Sequence, residues 1–249
     1  MNPDEYAIMD HAEEGHWWYV GMERITVALL DCWYAPGSNL RILDAGCGTG
    51  KAMTSYLTRY GQVTGFDFAP EAVRFSRQRG ATRLAQASVM EIPFASHSFD
   101  LVVRFDVLCE RGVPDDVQAL REIRRVLVPG GRVLLRLPAC NWLRGHHDAA
   151  VHIRHRYNKR DLVRRFRKAG LQSRAPIVCQ HPALPPGRAQ ADGREDLALQ
   201  GSSLRPDIQS WPSQRLVREN RRCGSTPRNW AGVALRAEPD RCWTHVTLR

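Results

Sequence analysis

Leu43-Asp44-Ala45-Gly46-Cys47-Gly48-Thr49-Gly50 is the stretch that decides the fold. It follows an apolar run beginning at Leu40 and opens a helical pattern, so it reads as a strand-to-helix turn. Glycines at alternate positions permit a tight turn and let a ligand approach the backbone. A dinucleotide turn of the form G-x-G-x-x-G would need glycine at position 51, where this chain has Lys51. The glycine-rich phosphate loop that ends in Gly-Lys-Ser or Gly-Lys-Thr is absent too. Asp44 stands two residues before the first glycine. It would repel a pyrophosphate and suits a ligand carrying positive charge, such as an ammonium or a sulfonium.

Outward from this turn, strand candidates fall at 40–44, 63–67, 82–87, 100–105 and 132–137, with helical patterns between them. That alternation predicts an α/β fold: a Rossmann-like, doubly wound, mostly parallel sheet with helices on both faces. Pro70 suits a first helical turn and Gly80 a helix stop. Asp115 and Asp116 open a helix carrying Val117, Leu120, Ile123 and Leu127 on one face, ended by Pro129-Gly130-Gly131. Asn158 caps another, with Leu162 and Phe166 inward and Gly170 as its stop. Ile25, Leu29, Cys32 and Trp33 give a helical stripe before the first strand. Asp67 ends the second strand, where a carboxylate can accept both hydroxyls of a ribose.

Four motifs then occur in order. They are the glycine turn; Gly65-Phe66-Asp67-Phe68-Ala69-Pro70; Ile92-Pro93-Phe94 with Ser98-Phe99-Asp100-Leu101-Val102-Val103; and the run from Leu120 to Gly131. Together they resemble class I S-adenosylmethionine-dependent methyltransferases, of the bacterial type 11 kind, over about residues 15–175. The resemblance implies S-adenosyl-L-methionine as cofactor. It places Asp44, Gly46, Cys47 and Gly48 around the cofactor's amino-acid part, Asp67 at the ribose, Ser88 and Val89 beside the adenine, and Phe68 among the cofactor-binding residues. Many members have Asp where this chain has Ser88. The end of the fourth strand, Arg104-Phe105-Asp106, would lie beside the sulfonium. His16-Trp17-Trp18-Tyr19 and the segment containing His147, Asp148, His152 and Tyr157 resemble parts that close over the cofactor and acceptor in a bacterial subgroup. A Leu-x-His pattern of relatives is Leu108-Cys109-Glu110 here.

His147 and His152 are the candidates for a base near the acceptor, with polar lining as the plainer role. His146, His147, His152 and His155 match no zinc spacing, so no metal is expected. Asn/Asp-Pro-Pro-Tyr/Phe is missing after strand four, and no Pro-Cys dipeptide occurs. Those absences favour methyl transfer to a small-molecule, lipid or sugar-linked acceptor over a nucleic-acid base. The rival readings are a methyltransferase-fold binding module without turnover and an RNA or DNA methyltransferase.

Composition bounds the rest. Of 249 residues, 43% are hydrophobic, enough for a sizeable core, and no apolar run could span a bilayer. Seven cysteines without a C-x-x-C pair, and a start without a basic-then-apolar leader, predict a reducing, cytoplasmic setting. A net charge of +10 rests almost wholly on arginine, dispersed rather than interleaved with aromatics. The expected organisation is an N-terminal helical cap over 1–38, a cofactor-binding domain over 39–178 and an irregular or poorly ordered tail over 179–249. In that tail 7 Pro and 5 Gly replace the periodic pattern, an abrupt change that a shift of coding frame near residue 178 would also produce. Only 174–179 and segments near Val233 and Val246 are left to cover the edge of the sheet, which predicts an incomplete C-terminal side.

Overall fold

The computed structural model describes residues 2–139, 144–145, 148–149, 152–172 and 243–248. Five strands run parallel: β1 (Leu40–Ala45), β2 (Gly61–Asp67), β3 (Leu84–Gln86), β4 (Phe99–Phe105) and β5 (Leu127–Pro138), in the order β3-β2-β1-β4-β5. A sixth, β6 (Trp243–Leu248), lies antiparallel along β5, from Val133 opposite Leu248 to Pro138 opposite Trp243. The doubly wound sheet expected from the sequence is thus present, and the segment around Val246 supplies an edge strand. The candidates at 174–179 and 233–237, and the expectation for 179–242, lie outside the described residues.

The α-helices among the described residues are α1 (Pro3–Ala12), α2 (Trp17–Asp31), α3 (Lys51–Thr54), α4 (Pro70–Gln78), α5 (Asp116–Val126) and α6 (Lys159–Lys168). Their ends have local causes. Asp115 accepts hydrogen bonds from the amides of Val117 (2.8 Å) and Gln118 (3.1 Å), closing the start of α5. Asn158 does the same for α6 through the Asp161 amide at 2.9 Å. Strand residues alternate between two cores, as a pleated sheet covered on both faces requires. Leu43, Val102, Val133 and Leu135 pack with α5 and α6 through Leu120, Ile123, Leu162 and Phe166. Ile42, Leu101, Val103 and Leu134 pack with Leu30, Leu57 and Tyr60 on the other side. No helix among the described residues is long and apolar enough to cross a membrane.

Two helix ends differ from the expectation. The stripe ending at Trp33 overruns α2, which stops at Asp31; Cys32 is the exposed cap, and the ring of Trp33 instead lies under the Arg132 guanidinium at 5.6 Å. Helix α5 ends at Val126, before Pro129-Gly130-Gly131. The amides of His97 and Ser98 take the carbonyls of Arg125 (3.0 Å) and Val126 (2.8 Å), so tertiary bonds end the helix. Leu127 already pairs with Phe99, and the next pairing is Leu101 with Arg132; the residues between bulge out.

Gly50, at the start of α3, sets how closely the turn approaches α4. Its φ is +82°, and a Cβ there would lie 2.9 Å from the Ser76 Cα. Gly50→Ala is expected to cost about 2 kcal/mol, from the left-handed backbone and overpacking together. Denaturant unfolding measures this; a midpoint equal to that of the parent chain would refute the close approach.

Candidate functional site

Strand order reverses between β1 and β4, and the carboxyl ends of these strands open a crevice there. The glycine turn forms one wall. The amides of Gly46 (2.8 Å) and Cys47 (3.0 Å) both donate to the Phe66 carbonyl, which ties the turn to β2. Gly46 has φ +89°, and a Cβ on it would meet Val107 Cγ2 at 2.6 Å, so the loop after β4 needs the bare backbone here. The Cys47 side chain turns into the core, its sulfur 3.6 Å from the Ser76 hydroxyl, and burial pushes its thiol pKa up. Only the Cys47 backbone faces the turn. The Ser76 hydroxyl also donates to the Gly48 carbonyl at 3.0 Å.

Asp67 is fixed by two backbone donors. Its Oδ2 accepts from the Gly48 amide and its Oδ1 from the Ala69 amide, each at 3.0 Å. The β2 carboxylate and the glycine turn, 19 residues apart, are therefore one unit. Asp44 is 1% exposed at the end of β1, and its Oδ2 has no hydrogen-bond partner among the described residues. Burial first, then the charges of Asp67 and Glu13, push its pKa up to about 7, while Arg136 opposes them. Carboxylates outnumber cations here, and a ligand bringing positive charge would relieve both the desolvation and the repulsion.

Beyond Asp67, the Ala87 amide donates to the Asp67 carbonyl at 3.0 Å and carries Ser88 and Val89 to the crevice end of β3. The Ser88 hydroxyl oxygen accepts from the Met90 amide at 3.1 Å, which leaves its proton free to donate. Val89 is buried against Ala45 and Phe66, whereas Phe68 is 75% exposed on the rim. At the end of β4, Asp106 takes φ +58°, and its Oδ1 is buried with no partner among the described residues. Its Oδ2 accepts from Arg136 Nε at 2.6 Å, and that guanidinium stands 4.8 Å above the Phe105 ring. Burial, above all, pushes the Glu110 carboxyl up to about 7. The His152 ring is 3.0 Å from Asn2 Oδ1, and the His152 carbonyl accepts from the Arg111 amide at 3.0 Å. His152 thus sits beside the segment after β4, while His147 lies outside the described residues.

Helix α1 closes over the turn, within the helical cap expected over 1–38, through contacts that sequence reasoning did not name. Tyr6 is buried, its hydroxyl pKa raised by burial and then by Asp67 and Glu110. Met9 Cε lies 3.2 Å from where a Gly48 Cβ would stand. Glu13 accepts from the Thr49 hydroxyl, and Lys51 reaches Glu14 at 2.7 Å. Arg79, beyond α4, pairs with Asp10 (2.7 Å), Glu13 (3.3 Å) and Glu14 (2.7 Å). The available signal was the spacing of Tyr6, Met9 and Glu13, which puts them on one helical face. His16-Trp17-Trp18-Tyr19 starts α2 alongside: His16 accepts from the Trp18 amide at 3.4 Å, and the Trp17 and Trp18 rings meet edge to face at 5.8 Å. Burial raises the Tyr19 hydroxyl to about 12, with Glu13 and Asp106 adding to it.

The profile of the methyltransferase-domain family Methyltransf_11 matches residues 43–135. Demethylmenaquinone methyltransferase of Staphylococcus aureus is 37% identical over an alignment of 103 residues that covers 38% of this chain and 42% of that protein. The match spans about two fifths of the length of such curated relatives. Among solved structures, a Haloferax volcanii methyltransferase in complex with the Trm112 activator superposes with a TM-score of 0.62 at 20% identity, covering 98% of this chain and 94% of that one. A Thermotoga maritima SAM-dependent methyltransferase gives 0.55 at 19% identity, over 73% of this chain and 84% of that one. These structures share the fold.

Proposed function

We propose, from the premise that residues 43–135 belong to the Methyltransf_11 methyltransferase-domain family, that this chain transfers a methyl group from S-adenosyl-L-methionine to a small-molecule, lipid or sugar-linked acceptor. The observation that carries this is Asp44, a buried carboxylate with an unpartnered oxygen beside a glycine turn. It suits the positive charge of the cofactor's amino-acid part. Asp67, held by the Gly48 and Ala69 amides, keeps lone pairs free to accept the ribose hydroxyls. Ser88 and Val89 flank the adenine, Phe68 covers the ribose side, and Phe105 faces the sulfonium. The bound cofactor supplies an electrophilic methyl group. The protein then orients the acceptor and excludes water, tasks that suit α1 and the Trp17-Trp18 pair. His152 and His147 are the residues to take a proton from the acceptor. The curated relatives named for demethylmenaquinone act on a small molecule, which supports that acceptor class.

Calorimetry with S-adenosylmethionine, S-adenosylhomocysteine and NAD tests the cofactor. Both adenosyl ligands should bind and NAD should not; NAD binding without a response to either would sink the assignment.

The Asp44 pKa adds a second expectation. The folded chain holds this proton up to about 7, whereas the unfolded chain releases it in the ordinary carboxylate range. The stability that Asp44 contributes is therefore lost as pH rises through that window. A cationic ligand prefers the ionised form, so affinity moves the opposite way. S-adenosylhomocysteine affinity should rise about tenfold from roughly one pH unit below 7 to roughly one above, and Asp44→Asn should flatten the profile. A flat profile in the parent chain would show that Asp44 does not face the ligand's charge.

A further inference from the structure

Arg104, the neighbour of Phe105 on β4, has no role of its own in the cofactor assignment. It has no solvent exposure, and none of its Nε, Nη1 and Nη2 atoms has a hydrogen-bond partner among the described residues. The five N–H donors of a guanidinium cannot go unmet in a dry interior without a large desolvation cost. Its position is specific. Leu101 and Val103 pack into the opposite core, and Arg104 follows the alternation onto the face of Val102, at the carboxyl end of β4. It stands opposite Leu135 of β5 and one residue beyond Val103, the partner of Asp44, and the charges of Glu110 and Asp67 both act on it. Neither of those carboxylates hydrogen-bonds to it. The Tyr157 hydroxyl is already committed to the Leu108 carbonyl (3.0 Å) and Asp116 (2.8 Å). Burial lowers the Arg104 pKa only to about 10, so it stays a cation at neutral pH.

We propose that Arg104 is the specificity residue of the acceptor pocket and seats an oxyanion, a carboxylate or a phosphate, of the methyl acceptor. This rests on the cofactor assignment above and adds the acceptor's chemical class to it. A planar fork of donors matches the two oxygens of such a group and would not be needed for an apolar acceptor. The charge also lies deep enough to position the acceptor's far end while its nucleophile meets the methyl group.

The test titrates small probes in charged and neutral pairs, benzoate against benzamide and phenyl phosphate against phenol, with and without S-adenosylhomocysteine. At least one anion should bind about tenfold more tightly than its neutral partner, as a charge-assisted hydrogen bond provides; the stronger arm identifies the oxyanion. Arg104→Met should erase the preference, and its melting temperature without ligand should hold or rise, because an unmet buried charge is gone. Should that variant fail to fold, Arg104→Lys serves: it keeps the charge, loses the fork and should show a reduced preference. Equal binding of charged and neutral probes to the parent chain, or a full preference surviving in either variant, would overturn the proposal. So would a collapse, in Arg104→Met, of the preference for S-adenosylhomocysteine over 5′-methylthioadenosine, since the anion on Arg104 would then be the cofactor's own carboxylate. Failure of S-adenosylhomocysteine to bind would instead count against the cofactor assignment, and the probe pairs run without it would still decide Arg104.

Discussion

Asp67→Ala is expected to weaken S-adenosylhomocysteine binding about a hundredfold. The two ribose hydroxyls would each lose a hydrogen bond to a charged acceptor, at about 1.5 kcal/mol apiece at the low end, or about 3 kcal/mol together. The same substitution frees the amides of Gly48 and Ala69, now held at 3.0 Å. The glycine turn should therefore loosen and the chain should also melt earlier. Asp67→Asn separates the two effects. Its one amide oxygen can accept from only one of the two backbone amides, and its NH2 faces the other, so the melting temperature should recover in part while affinity stays below that of the parent chain. Calorimetry and thermal melting on both variants decide it. Unchanged affinity in a folded Asp67→Ala chain would remove Asp67 from the binding site.

The largest loss of stability is expected at Asp116, at the start of α5 and 1% exposed. Its carboxylate accepts from the Tyr157 hydroxyl at 2.8 Å, pairs with Arg165 at 2.8 Å, and also takes a bond from Arg154. It thereby joins α5, α6 and the segment that follows β5. Asp116→Ala would remove the buried counter-charge of two guanidinium groups and one of the two partners of the Tyr157 hydroxyl. Removing one partner of a buried pair costs about 3–5 kcal/mol. The low end, about 3 kcal/mol, applies here because Arg154 and Arg165 keep access to water. Denaturant unfolding should show that loss, and a change below about 1 kcal/mol would mean the network re-forms without its centre.

What the sequence made legible follows from locality. The glycine turn, the Asp115 and Asn158 caps and the strand alternation each depend on residues close in the chain, and each lies where expected. Asp44 and Asp67 were legible because strand ends in a parallel sheet converge on one crevice. Helix α1 was not: its grip on the turn depends on Arg79, 65 residues from Glu14, and on Met9 meeting Gly48. The start of β5 was misplaced for a similar reason, since amides at 97 and 98 end the preceding helix and no local pattern announces them. The sequence put Arg104 at the end of the fourth strand but gave it no role of its own. Only its complete burial, with every side-chain donor unmet among the described residues, sets it apart from the dispersed surface charge.

The latch over the crevice is ionic, and that ties ligand residence time to electrolyte. Glu14 is 60% exposed, so its pairs with Lys51 and Arg79 are open to screening by dissolved ions. The contact between Arg79 and Glu13 is more sheltered, with side chains 16% and 12% exposed, and Tyr6 is anchored by burial. Added salt should therefore release the outer pairs first and leave the inner ones. A helix held this way opens by fraying from its C-terminal end, where Glu13 and Glu14 follow it, while the Tyr6 end stays seated. Exchange in the crevice should accordingly quicken as ionic strength rises, although the apolar contacts of the helix do not weaken.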